Sequence, residues 1–189
     1  WFQKLQEISG PEVPYALYAQ GRIAIFDENF SLARQNLARA DRATDQSNLS
    51  EKARYFSALS DFFAGDSEFA EIQLRSLERR NDSYYANDAV QLRMWIQNGL
   101  RADSTGSVLN TLGKGVFALH TGNYDLALEK LAPLLQEPKA ALTDDLTVET
   151  SSTLPEEYSA LKLQLVNIQI NSNSGSPLLE RLMWDRALL

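Results

Sequence analysis

No cysteine occurs in the 189 residues, which removes disulfides and thiolate chemistry and fits a reducing or an oxidising compartment equally. There is one histidine, His120, so metal sites built from His and Cys are excluded by count. No apolar run approaches the ~18 residues of a membrane span, so direct membrane insertion is not expected. Cations are in deficit: 18 Lys and Arg face 25 Asp and Glu, for a net charge of −7. Nucleic-acid binding needs a basic surface to displace counterions, so that partner class is disfavoured, as are anionic membrane surfaces. No secretory leader is visible. The chain opens at Trp1 without methionine, and the expectation is a piece of a longer protein.

Catalytic motifs are missing too. Gly113-Lys114-Gly115 lies inside a helical pattern and is not a phosphate-binding G-x-x-x-x-G-K-[ST] loop. No G-x-S-x-G elbow and no calcium loop occur. The paired acids Asp27/Glu28, Asp144/Asp145 and Glu156/Glu157 are adjacent. Neighbours on a helix point apart, so they make poor acid–base dyads. His120 lacks a deducible acid or nucleophile, and its plain role is a helix C-terminal residue that favours the dipole when protonated. The reading is therefore no enzyme, no cofactor and no metal.

What is present is a repeat. Asp27–Ala33 (DENFSLA), Ala64–Ala70 (AGDSEFA) and Thr121–Ala127 (TGNYDLA) align. The third place of each is an N-cap type: Asn29, Asp66, Asn123. Gly65 and Gly122 suit the left-handed residue that ends the preceding helix. Glu28 stands there in the first copy, so that turn is expected to differ. Twelve residues before each closing alanine lies a small residue: Gly21/Ala33, Ala58/Ala70, Gly115/Ala127. Small side chains let two antiparallel helices approach closely. Four residues past each alanine comes Leu37, Leu74 or Leu131, on the same face one turn later.

This pattern resembles the tetratricopeptide repeat, W-x2-L-G-x2-Y, then A-x3-F, then P. The Gly/Ala and A-x3-F slots match. The Trp, Leu and Tyr slots hold Leu17, Gln20 and Ala24 in the first copy and Thr111, Lys114 and Ala118 in the third, and the closing proline is absent. The resemblance implies an all-α fold, a right-handed α-α superhelix of helical hairpins.

In chain order, Trp1, Phe2, Leu5 and Ile8 share one helical face and read as core of a preceding hairpin. Hairpins follow at about 12–43, 48–80 and 105–136, with Asn48 and Glu51 at capping-box spacing. Arg79-Arg80-Asn81-Asp82 closes the second. Ala33 to Ala70 is 37 residues, while Ala70 to Ala127 is 57, twenty more. That surplus is one odd inserted helix at about 84–100, with Val90, Met94, Leu92 and Trp95 as core, where the stack should bend. The stretch 136–155 is polar and Thr/Ser-rich and reads as a long loop, functional or mobile. Thr153 and Glu156 have capping-box spacing. A degenerate fourth hairpin is expected over 155–188: a helix using Tyr158, Leu161, Leu165 and Ile168, then one started by Ser176-Pro177 with Leu178, Leu179, Leu182 and Met183 inward. The whole is taken as a single domain.

The resemblance implies a concave groove lined by first helices. Its lining would be Tyr15, Tyr18, Arg22, Ile25 and Phe26; Lys52, Tyr55, Leu59, Phe62 and Phe63; and Leu109, Leu112, Val116, Leu119 and His120. Tyr15, Tyr18, Arg22, Phe26, Lys52, Tyr55, Phe62 and Phe63 are the partner-binding candidates, since aromatics and arginine dominate binding hot spots. Packing against the next layer is the competing role for each. The Lys/Asn/Arg set with which some relatives clamp a terminal carboxylate is not built, because its slots hold Tyr18, Phe56, Leu109 and Gly113. Tyr84–Ala89 is similar to a stretch of bacterial cell-envelope tetratricopeptide proteins, which implies an extracytoplasmic location; Asn87 and Asp88 otherwise read as first-turn polar residues. The expected function is a scaffold for a protein or peptide. The alternatives are an accessory helical domain of a larger enzyme and self-association through exposed ends.

Overall fold

Helix-forming runs punctuated by Gly, Asn and Pro fold as the periodicity requires. A computed structural model of the chain describes residues 10–78, 84–136 and 142–189. Among them the structure is all helix, without strand: α1 (Val13–Phe26), α2 (Phe30–Arg42), α3 (Ser47–Ala64), α4 (Ser67–Glu78), α5 (Ala86–Ala102), α6 (Ser107–His120), α7 (Tyr124–Leu135), α8 (Thr143–Thr153), α9 (Ser159–Ser172) and α10 (Leu179–Leu188), with a 3-10 turn at Glu156–Tyr158. The amino-terminal aromatic segment and Arg79–Asp82 lie outside the described residues. The chain divides into two compact units, Trp1–Gln97 and Asn98–Leu189, the boundary falling inside α5.

In the first unit, α1/α2 and α3/α4 are the first two hairpins. A Cβ placed on Gly21 would lie 2.5 Å from Leu37 Cγ and 3.3 Å from the Ala33 carbonyl, so Leu37 packs where a side chain at this position would lie. Asn29 caps α2 by accepting from the Leu32 N–H at 3.2 Å. The expectation that Glu28 alters its turn is wrong. Glu28 adopts φ 56, beside φ 90 at Gly65 and 78 at Gly122. All three turns carry the same pair of bonds, for example Asn29 N–H to Ala24 O at 2.8 Å and Glu28 N–H to Ile25 O at 3.0 Å. That is the Schellman motif, and its two bonds outweigh the strain on a non-glycine residue.

The hairpins are joined by ion pairs between α2 and α3. Asp41 takes Arg54 Nε through both oxygens at 3.0 Å and accepts from Ser50 Oγ at 2.5 Å. One turn or two away, Arg34 bridges the buried Asp61 at 2.5 Å and Asp66 at 3.0 Å. The pairing order makes α2 and α3 antiparallel. Gln73 of α4 also donates to Asp61. Burial pushes the Asp61 carboxyl up, opposed by Gln73 and Arg34 and aided by Asp66. Glu71 of α4 collects Arg75, Arg93 and Gln97, which ties the inserted helix α5 to the second hairpin. In α5 the buried face is Ala89, Leu92, Trp95 and Ile96, whereas Met94, expected in the core, is 53% exposed. Asn48 does not cap α3, which already begins at Ser47 without a side-chain cap.

In the second unit, α6 and α7 form the third hairpin. A Cβ on Gly115 would meet Leu131 Cγ at 2.5 Å, and Asn123 caps α7 through the Leu126 N–H. Residues 143–153, read as loop, form helix α8, which packs on α6 and α7 and on α9 and α10. Helix α9 packs both on α8 and on α10, the second helix of the 155–188 span. Helix α8 forms for a chemical reason. Thr143, Leu146, Thr147, Thr150 and Ser151 make a buried stripe of small side chains. Two of the hydroxyls bond back to the helix, Thr147 Oγ1 to Thr143 O at 2.8 Å and Ser151 Oγ to Val148 O at 3.1 Å, while Thr150 Oγ1 is buried without a partner among the described residues; most of the stripe's polarity is thus satisfied on burial. Thr143 Oγ1 reaches Leu134 O at 3.2 Å, and Asp144 accepts from Gln169 and Asn173 of α9. The Thr153/Glu156 capping box does not form, because Thr153 ends α8 and Glu156 opens the 3-10 turn. Ser176 accepts from the Leu178 N–H at 3.0 Å, leading into α10 at Leu179. On α9 the buried residues are Lys162, Val166 and Gln169 while Ile168 is exposed, and on α10 only Leu182 is buried while Met183 is 47% exposed.

Candidate functional site

The first helices α1 and α3 touch each other directly, besides packing on α2 and α4. On α1 the side facing α2 carries Ala16, Leu17, Gly21 and Ala24, all buried. That leaves Tyr15, Tyr18, Arg22 and Phe26 on another face at three- and four-residue steps. On α3 the matching residues are Lys52, Tyr55, Phe56 and Leu59, none fully buried.

Tyr18 and Tyr55 are brought together through Phe56. Phe56 lies edge-on to Tyr18 at 6.1 Å between centroids and to Tyr55 at 5.3 Å. The Arg22 guanidinium stands 3.7 Å from the Phe56 centroid, and its Nη1 donates to the Tyr18 hydroxyl at 3.0 Å. Tyr85, just before α5, stacks on Tyr55 at 4.7 Å with planes 20° apart and meets Phe56 at 5.9 Å. Tyr84 packs on Tyr85 at 5.0 Å and is 79% exposed. Each aromatic contact adds ~0.5–1.5 kcal/mol beyond its buried area, and a partly desolvated cation over a ring ~1–2 kcal/mol. These rings are therefore held in place before any partner arrives. Burial raises the Tyr85 phenol, with Tyr18, Tyr84 and Asp88 adding and Arg22 opposing. It stays a neutral hydrogen-bonding group at physiological pH.

The other candidates scatter. Tyr15 is half exposed and donates to Gln46 Oε1 at 2.5 Å. Phe26 is exposed at the end of α1, and Lys52 is partly buried on α3. Phe62 and Phe63 are core, at 1% and 7% exposure. Helix α3 has α1, α2 and α4 against it, and its last turns spend both rings on that packing; neither presents a face to a partner. Ile25, Leu109, Leu112, Val116 and Leu119 are buried as well. His120 is exposed in the second unit and pairs with Glu149 of α8 at 2.9 Å, a contact the loop reading could not supply. Phe56 and Tyr85 are the two cluster members that sequence reasoning missed. The signal for both was aromatic doubling, Tyr55-Phe56 and Tyr84-Tyr85.

No protein-family model, curated protein or solved structure matches the chain. What the cluster can do must follow from its own chemistry. It offers one cation, several phenols and flat apolar faces, which bind and orient. Among the described residues no group of three or more His, Asp or Glu gathers to hold a metal, and no helix is long and apolar enough to cross a membrane.

Proposed function

We propose that this chain is a protein-interaction scaffold of the tetratricopeptide type, a right-handed superhelix of hairpins that presents a concave helical groove to a peptide or protein. The recurring Schellman turns and the Gly–Leu crossings at Gly21/Leu37 and Gly115/Leu131 support the repeat reading. The direct contact of α1 with α3 is what stacked first helices would make. One observation carries the functional reading: Tyr18, Arg22, Tyr55, Phe56 and Tyr85, from three separate segments, converge into one partly exposed, preorganised patch. Preorganised aromatics lose little entropy on binding, which is why they dominate hot spots. A role in cell-envelope assembly is the biological setting we favour.

The test is a double substitution. A photo-crosslinker at Tyr55 in the full-length protein would recover the partner from source cells. Calorimetry with that purified partner would then compare wild type with Tyr18→Ala/Tyr55→Ala. Loss of hot-spot aromatics costs ~2 kcal/mol or more, so affinity should fall at least about tenfold. The circular dichroism spectrum should stay that of a folded helical protein. Wild-type affinity in the folded double variant would refute the groove.

A further inference from the structure

Arg22 differs from the other described arginines of its unit. Arg34, Arg54, Arg75 and Arg93 each hold a carboxylate. Arg39 and Arg42 lie exposed in the last turn of α2. Arg22 is partly buried in an aromatic cluster and, among the described residues, has no acid. Asp88 acts on the Tyr85 phenol but forms no ion pair with Arg22. Of five guanidinium N–H donors, one is spent on the Tyr18 hydroxyl. Among the described residues the other nitrogens have no acceptor, and neither is fully buried. The Phe56 ring 3.7 Å from the guanidinium and the bond to Tyr18 restrict where that group can lie. A planar cation held this way matches a carboxylate through two parallel hydrogen bonds.

We infer that Arg22 is the specificity-determining residue of the patch, reading a carboxylate on the bound peptide while Tyr55, Phe56 and Tyr85 receive an adjacent apolar or aromatic side chain. This rests on the groove reading. Charge complementarity selects the occupant: in a chain of net charge −7, this is a held cation that no acid among the described residues pairs. The carboxylate is that of an Asp or Glu side chain, since the set that would clamp a terminal carboxylate is not built.

The probes are two random peptide libraries displayed on phage, one with a free C-terminus and one with the C-terminus blocked, selected on the full chain. Enrichment of Asp- or Glu-containing peptides from both libraries supports the inference when synthetic versions lose about tenfold in affinity on Arg22→Gln. Enrichment from the free-terminus library alone would assign a terminal carboxylate and overturn it. The same peptides, with that carboxylate converted to an amide, should show no further loss on Arg22→Gln. Arg22→Lys, which keeps the charge, should keep the preference for acid over amide. Equal losses for the acid and amide peptides on Arg22→Gln would make Arg22 a packing residue and overturn the inference. Enriched peptides without a carboxylate that still require Tyr18 and Tyr55 would overturn it and leave the groove standing. No enrichment above that on Tyr18→Ala/Tyr55→Ala would remove both.

Discussion

Adding one methyl group at Gly115 tests the close crossing of α6 and α7. The new Cβ would lie 2.5 Å from Leu131 Cγ. Carbon atoms in contact want about 3.5 Å or more, so Leu131 or the helix pair must give by about 1 Å. Leu131 is wholly buried and has no open side to move into. Overpacking of this kind costs ~1–3 kcal/mol. Replacing a mid-helix glycine by alanine returns ~1 kcal/mol of backbone propensity. The net for Gly115→Ala is thus a loss of ~0–2 kcal/mol, and Gly115→Leu should lose well over that. Leu131→Ala alone should cost ~2–5 kcal/mol. With Leu131 already truncated, Gly115→Ala should become stabilising by ~1 kcal/mol, because only the propensity gain remains. The coupling between the two sites is then ~1–3 kcal/mol. Urea unfolding of the four variants followed by circular dichroism measures it. A Gly115→Ala gain equal in both backgrounds would show that the helices do not cross at this pair.

Three further expectations follow from particular residues. Glu28→Gly should stabilise by ~0.5–1 kcal/mol in urea melts, since Glu28 sits at φ 56 and glycine carries no left-handed penalty; a loss of stability would mean the turn is not the Schellman turn described. The Glu71 carboxyl is held below its ordinary 4.5, chiefly by the hydrogen bond from Arg75. Its contribution is therefore present above pH 4.5 and fades as pH falls through the lowered value, so Glu71→Gln should cost ~1 kcal/mol at pH 7 and much less at pH 3, and a cost that does not shrink on acidification would contradict the pairing. Amides of Leu146–Thr153 should exchange with solvent hydrogen as slowly as those of Tyr124–Leu131; exchange at loop rates would remove α8.

Local geometry was legible in the residues, and burial was not. Asn29 and Asn123 mark their helix starts, and Gly21 and Gly115 mark close crossings, because each signal lies in a fixed offset from a turn. Glu28 misled because the penalty for a left-handed glutamate is smaller than the worth of the two hydrogen bonds it permits. Helix α8 was hidden because composition counts threonine and serine as polar, while the hydroxyls of Thr147 and Ser151 bond back to the helix and that of Thr143 to α7. In the candidate patch, Tyr18, Arg22 and Tyr55 could be placed by their offset from Gly21 and Ala58. Phe62 and Phe63 share the same logic and fail it, since the number of helices packed around α3 is a tertiary fact. Tyr85 joins the patch only because a separate segment lies on Tyr55, and Phe56 only because α1 brings Tyr18 and Arg22 against it.

The central claim is that partners bind along α1 and α3 rather than on the second helices, where Leu32, Phe69 and Ile72 also stand exposed. Hydrogen-exchange footprinting of the complex with the recovered partner tests it most directly. The account predicts new protection in Tyr18–Phe26, Lys52–Leu59 and the start of α5 at Tyr85–Ala89, with α2 and α4 unchanged. Protection confined to α2 and α4, around Leu32, Phe69 and Ile72, would contradict it.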